Sequence, residues 1–254
     1  MQMAERLAII SDIHANLEAL EAVLADIATR DVDETLCLGD VVGYGIDAEA
    51  CLDLVRAHCA FCLCGNHDWA MVNSAIGFNP VAREAIDLTR KRMQPKRLSM
   101  PRTRKRWEFS AERPYQEKRD GLLFVHGSPR DPVMEYVFPE DVDVDPDKMV
   151  EIFEEIDRAC FVGHTHLPGV FTGDLDFRRP AEISDSYLLS DEKALINVGS
   201  VGQPRDGDPR ASYVEVSDGL VIFRRVPYDV QKTMEKIRAS HISDLCAERL
   251  AFGK

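Results

Sequence analysis

Apolar positions along this chain recur in short runs separated by amphipathic stretches. Leu7 to Ile10 is a run of four, the length of a strand buried on both faces. Asn16 to Arg30 then carries apolar residues at 17, 20, 23, 24 and 27, which is helix spacing. Thr35 to Leu38 reads as the next strand, Ala48 to Ala57 as a second helix, and Phe61 to Cys64 as a third strand. This β-α-β-α-β order predicts a largely parallel sheet with right-handed crossovers. Further on, Val81 to Met93 reads as a helix after Pro80, and Pro95 and Pro101 break the chain beyond it. Strands are predicted at Leu122 to Val125, Cys160 to Val162, Leu195 to Val198, Ser212 to Val216 and Leu220 to Arg225, with a hairpin turn at Ser217-Asp218-Gly219. Helices are predicted at Lys148 to Ile156, Val230 to Ala239 and Ser243 to Leu250. With no low-complexity linker and no internal repeat, residues 1–254 read as a single domain. Gly173 to Lys193, polar and weakly patterned, reads as a surface insertion.

Polar clusters follow the carboxyl ends of these strands. Asp12 and His14 follow the first, Asp40 the second, Asn66 and His67 the third, and His126 and Gly163-His164-Thr165-His166 two later ones. In open α/β sheets, ligands bind at that end. Together the segments offer four histidines, two carboxylates and one amide, enough for two metal ions. Asp-x-His and His-x-His would each place two ligands on one side of an extended segment. Asp40 has two oxygens and could hold both ions, and Asn66 supplies a neutral oxygen. Glycines 39, 65, 127 and 163 flank these residues and would permit tight turns. Two divalent cations about 3.5–4 Å apart generate a nucleophile at neutral pH and neutralise a phosphoryl group under attack.

The ordered set Asp12-x-His14, Gly39-Asp40, Gly65-Asn66-His67-Asp68, His126 and Gly163-His164-x-His166 resembles the calcineurin-like metallophosphoesterases. The stretch Asn197-Val198-Gly199-Ser200-Val201-Gly202-Gln203-Pro204-Arg205 extends the likeness toward a short prokaryotic branch described as phosphodiesterases or protein phosphatases. The resemblance implies a two-sheet α/β/β/α sandwich. It implies that Asp12, His14 and His166 hold one metal, that Asn66, His126 and His164 hold the other, and that Asp40 bridges. His67 would sit over the scissile phosphate and stabilise charge or protonate the leaving oxygen, as a histidine near its ordinary pKa can, with Asp68 orienting its ring. A hydroxide bridging the ions would attack phosphorus in line, without a covalent enzyme intermediate. Arg205 could clasp a phosphate or form a loop salt bridge. Trp69 could face a substrate ring or lie in the core. His58 and His241 take no assigned role.

The wider composition narrows the reading. The formal net charge of −13 disfavours stable binding of duplex nucleic acid, although nine of the seventeen residues from Arg90 to Arg106 are Lys or Arg. That basic run is either a solvated face or a rim that attracts an anionic substrate. Seven cysteines, an odd number, argue against a disulfide framework, and Cys59-x-x-Cys62 lacks a second pair to complete a zinc site. No apolar run is long enough for a membrane span, and Glu5 and Arg6 precede too short an apolar run for a leader, so a cytoplasmic protein is expected. The nitrogen and oxygen donors suit manganese, iron, zinc, nickel or cobalt. The leading expectation is a phosphoesterase acting on a small phosphorylated substrate, a phosphodiester or nucleotide-like molecule. A phosphomonoesterase or phosphoprotein phosphatase and a diadenosine polyphosphate hydrolase are the rivals. A non-catalytic binding scaffold would lack ligands or His67, and neither is missing.

Overall fold

The computed structural model describes residues 6–254, so Glu5, one of the charges behind the leader expectation, lies outside it. In chain order the first half comprises β1 (Leu7–Ile10), α1 (Leu17–Ala28), β2 (Glu34–Cys37), α2 (Ala48–His58), β3 (Phe61–Cys62), α3 (Asn66–Val72), α4 (Pro80–Met93), α5 (Pro101–Ala111), β4 (Gln116–Arg119) and β5 (Leu122–Val125). The second half comprises α6 (Asp141–Val144), α7 (Pro146–Glu154), β6 (Ala159–Val162), β7 (Gly169–Thr172), β8 (Asp176–Arg178), β9 (Ser186–Leu188), β10 (Ala194–Asn197), β11 (Ala211–Ser217), β12 (Leu220–Val226), α8 (Val230–Arg238) and α9 (Asp244–Phe252).

The strands form two mixed six-stranded sheets, ordered β3-β2-β1-β11-β12-β9 and β4-β5-β6-β10-β7-β8. Strands β1, β2 and β3 run parallel in the first sheet, as do β5, β6 and β10 in the second. Alternation along β1 shows how the layers arise. Leu7 and Ile9 point into the core between the sheets, with Phe124, Phe161, Ile196 and Val214. Ala8 and Ile10 point outward, into a core shared with α1 and α2. On the far side α7 buries Met149, Ile152 and Phe153 against the outer face of the second sheet. The result is the expected α/β/β/α sandwich. Because β1 is sandwiched on both faces, all four of its residues are buried, which is why it reads as an unbroken apolar run.

Three local expectations need correction. Pro101 starts α5 rather than only breaking the chain: at the first helical position its missing N–H forfeits no bond. The segment 173–193 carries β8, a 3₁₀ turn at Pro180–Ile183 and β9, and its two strands edge the second and first sheets respectively. Finally, β3 ends at Cys62, so Cys64 lies beyond the strand. All seven cysteines are free thiols, and all but Cys59 are buried. Trp69 packs against the helix-side core. No helix of the described residues is long and apolar enough to cross a membrane.

Candidate metal centre

The parallel strands of both sheets open toward one edge, and the chain turns there in left-handed conformations. Asp12, His14, Ala15, Asp40, Tyr44, His164 and His166 all have φ between +49° and +67°. Such backbone costs roughly 1–2 kcal/mol per non-glycine residue. It persists because neighbouring loops over-determine it. His14 N–H donates to the Asp40 carbonyl at 2.9 Å, Ala15 N–H to Val41 at 2.9 Å, and Gly202 N–H to Asp12 at 2.9 Å. The expected extended Asp-x-His and His-x-His geometry is therefore replaced by turns, and both pairs still converge. Of the glycines expected to serve turns, only Gly39 needs its conformation, at φ +112°. Gly65 and Gly163 are bare because a Cβ would overlap the carboxylates of Asp40 and Asp12.

The backbone also orients the ligand atoms. Asp12 Oδ2 accepts from His164 N–H at 3.0 Å, leaving Oδ1 without a hydrogen-bond partner. Asp40 Oδ1 accepts from His67 N–H at 2.8 Å and presents Oδ2 to the centre. His14 Nδ1–H donates to the Val42 carbonyl at 3.1 Å, and His166 Nδ1–H to Gln203 at 2.5 Å. Both Nε2 atoms are thereby bare lone pairs. They lie 3.1 Å apart, and His166 Nε2 is 3.1 Å from Asp12 Oδ1. His164 Nε2–H donates to the Met134 carbonyl at 3.2 Å, so its bare Nδ1 faces His126 Nε2 at 3.1 Å, with Asn66 Oδ1 3.3 Å from that same Nε2. Asp40 Oδ2 stands between the groups, 3.7 Å from His14 Nε2 and 3.5 Å from His126 Nε2.

These residues fit divalent cations. Among the described residues no Lys or Arg lies within 4.0 Å of the fully buried Asp12 and Asp40 carboxylates, which without a cation would be uncompensated. Metal–ligand bonds of about 2.1 Å set neighbouring ligand atoms about 3.0–3.4 Å apart, close to the separations seen here. Two triples, Asp12–His14–His166 and Asp40–His126–His164, each keep their ligand atoms within 4.8 Å of one another. A third, His14–Asp40–His67, overlaps both and sets His67 at their rim.

Electrostatics follow from burial. Burial pushes the Asp40 carboxyl well above its ordinary range, and the nearby Asp68 and Asp12 carboxylates push it further. Burial also opposes the charged form of Asp12, but His166, His126 and His14 pull its pKa well below the usual range. All five histidines are held below 6.5, in each case by burial first.

One expected role narrows and one changes. Burial first, and then Arg205, hold the His67 imidazole well below its ordinary pKa, which favours stabilising charge through a hydrogen bond over protonating the leaving oxygen. Asp68 does not orient the His67 ring, whose Nδ1 has no hydrogen-bond partner among the described residues. Its carboxylate instead accepts from the N–H groups of Val41, Val42 and Gly65 and from Arg113 Nη1 at 3.0 Å. Asp68 thus ties the Asp40 loop to the start of α3. His67 is fixed by packing: its ring centroid lies 4.7 Å from Tyr44 and 4.8 Å from His14. Arg205 lies beside the cluster. Its Nη2 donates to Gln203 Oε1 at 2.8 Å, its Nε is unpaired, and no carboxylate lies within 4.0 Å of it among the described residues. The loop salt bridge considered for it is therefore absent.

Sequence reasoning missed Arg113, Tyr44, Tyr136 and the carbonyls of Val42, Met134 and Gln203. Tyr44 had a signal in its flanking glycines 43 and 45, and Gln203 lies in a stretch already singled out. Arg113 had none.

A chain described as a metallophosphoesterase from Sphaerobacter thermophilus is 38% identical, with a TM-score of 0.82 over 99% of this chain and 100% of that one. An uncharacterized protein of Methanocaldococcus jannaschii is 37% identical over 98% of each chain. A hypothetical protein of Pyrococcus horikoshii OT3, at 16% identity, shares the fold with a TM-score of 0.75 over 98% of each chain. Residues 6–219 match the calcineurin-like phosphoesterase superfamily domain. With the strand-end motifs in order and their side chains converging on one edge of a two-sheet sandwich, this chain belongs to the calcineurin-like phosphoesterase superfamily.

Proposed function

We propose that this metal-dependent phosphoesterase holds two divalent ions and hydrolyses phosphodiesters or nucleotide-like esters. The observation that carries the two-ion reading is Asp40 Oδ2, set between the His14 and His126 Nε2 atoms at 3.7 and 3.5 Å. Asp12, His14 and His166 would hold one ion, Asn66, His126 and His164 the other, and Asp40 both. When bound, the ions supply Lewis-acid stabilisation and a nucleophile at neutral pH. The chain's residues do the rest. Val42, Gln203 and Met134 fix the imidazole tautomers, so the ligand lone pairs are ready before substrate arrives. His67, packed against His14, Tyr44 and Phe78, offers a hydrogen bond to the phosphoryl group or leaving oxygen. Arg205, with an unpaired Nε, offers a guanidinium to a phosphoryl oxygen.

The diester preference rests on family resemblance and charge. A diester brings one negative charge to a chain of formal charge −13, and a monoester nearly two. Arg205 favours the second reading, a phosphomonoesterase, because it adds a cation without a carboxylate partner. The basic run does less than its composition suggests. Arg92 pairs with Glu49, Arg102 and Arg106 with Asp53, and Arg90 donates to the carbonyls of Ala70 and Met71. In this reading the substrate is small and phosphorylated, duplex nucleic acid is not bound stably, and the protein works in the cytoplasm.

The test is a hydrolysis panel on protein reconstituted with manganese, iron, zinc, nickel or cobalt. Matched p-nitrophenyl mono- and diesters, cyclic nucleotides and dinucleoside polyphosphates are compared by kcat/KM. A higher value for diesters is expected. Monoester preference at both low and high salt would replace the diesterase reading with the phosphatase one.

A further inference from the structure

A cleft of about 420 Å³ opens on Asn66 and His67; the rest of its wall is Tyr44, Ile76, Gly77, Phe78, Asn79, Met134 and Tyr136, so rings and apolar side chains alternate with polar groups. Phe78 meets the His67 ring edge-on, with centroids 5.2 Å apart and planes at 89°. Tyr136 lies flat on His164, centroids 3.6 Å apart and 19° between planes, so its ring is anchored to the candidate ligand set. At the mouth, Ile76 is 81% and Met134 37% exposed. Single exposed apolar residues are ordinary. Here, however, they are grouped with Phe78 and Tyr136 beside Asn66 and His67, the polar side chains that would flank a bound phosphoryl group, with Asn79 further along the wall. Binding sites of this size are typically apolar and aromatic, with a few convergent polar groups. Aromatic rings favour other rings in edge or offset contact, whereas a small alkyl group would leave most of this wall wet.

We infer that this cleft receives the group esterified to the scissile phosphate and selects a flat aromatic one, with Phe78 and Ile76 setting the preference. The inference rests on the phosphoesterase reading for the position of the phosphate. The aromatic group could be an aryl ring bonded directly through oxygen or a nucleobase set off by its sugar.

Binding of phosphonates, whose P–C bond resists hydrolysis, separates these cases. Methylphosphonate, phenylphosphonate and an adenosine analogue carrying a 5′-phosphonomethyl group are titrated calorimetrically into metal-loaded protein. One or both aromatic probes should bind at least about tenfold tighter than methylphosphonate. Phenylphosphonate as the tightest points to aryl esters, and the adenosine analogue to nucleoside esters. Phe78→Ala should shrink that advantage, read as the ratio to methylphosphonate affinity in the same variant, to under about threefold. Ile76→Ser, at a position too exposed to affect folding, should reduce it in part. Equal affinity for all three probes, or an advantage untouched by both substitutions, would overturn the inference. An aromatic preference in a protein that hydrolyses no phosphate ester would support the cleft and refute the phosphoesterase reading.

Discussion

The Nε2 atoms of His14 and His166 face each other at 3.1 Å, and neither ring has a hydrogen to offer the other. Each imidazole commits its one proton to a backbone carbonyl, Val42 for His14 and Gln203 for His166. Two lone pairs therefore meet beside the unpaired Oδ1 of Asp12. A cation resolves that repulsion, and it binds the folded chain alone because residues 14 and 166 meet only on folding. Free divalent metal at a hundred times its Kd should stabilise the fold by about 2.7 kcal/mol. Thermal unfolding with manganese or zinc against chelator measures this, and an unchanged Tm would contradict the assignment.

His67→Ala should lower turnover by roughly 10²–10³, the cost of removing one transition-state hydrogen-bond donor, while metal content holds. His67 lies at the rim of both candidate triples, so geometry alone would also allow it to be a ligand. Elemental analysis beside the kinetics separates the roles: metal lost together with activity makes His67 a ligand.

Arg113 and Asp68 are both buried, and Arg113 is the cation paired with Asp68. Arg113→Met leaves that carboxylate uncompensated and should cost about 3–5 kcal/mol. Adding Asp68→Asn should return part of it. Denaturant unfolding of the single and double variants tests the pairing, and strict additivity would show that the two do not act together.

Lowering pH should destabilise the metal-free protein. His14, His67, His126, His164 and His166 have folded pKa values below 6.5, so at these five sites the unfolded chain takes up protons first as pH falls, against one opposing group, Asp40, whose carboxyl burial raises. Stability contributed above about 6.5 is lost as pH drops from there toward the folded values. Protons also compete with metal for the same nitrogens. The Tm of chelator-treated protein should be lower at a pH of about 5.5 than at about 7.5, and metal should narrow the gap. A flat profile without metal would contradict the burial argument.

Gly43→Ala should disturb His67 without touching a candidate ligand. Gly43 has φ +100°, and a Cβ there would collide with His67 Nδ1. A stability loss of about 1–3 kcal/mol is expected, with turnover falling and metal content unchanged. Wild-type turnover would mean that the position of His67 is not critical.

The sequence alone determined what depends on local spacing. Buried parallel strands read as apolar runs because both their faces are covered, and the candidate ligands were legible because each cluster follows a strand end. The four layers and the place of the site come from those two facts. Tertiary structure decided everything set by partners distant in the chain. Asp68 went to Arg113, 45 residues away, rather than to its neighbour His67. Arg113 carries no local pattern, since an arginine in a loop looks the same whether solvated or buried. The left-handed turns at Asp12, His14, Asp40, His164 and His166 defeat the period-two argument, because backbone bonds from other loops hold them there. The same reason governs His67: its proton affinity is set by burial among Tyr44, Phe78 and His14 and by the charge of Arg205, none of which is next to it in the chain.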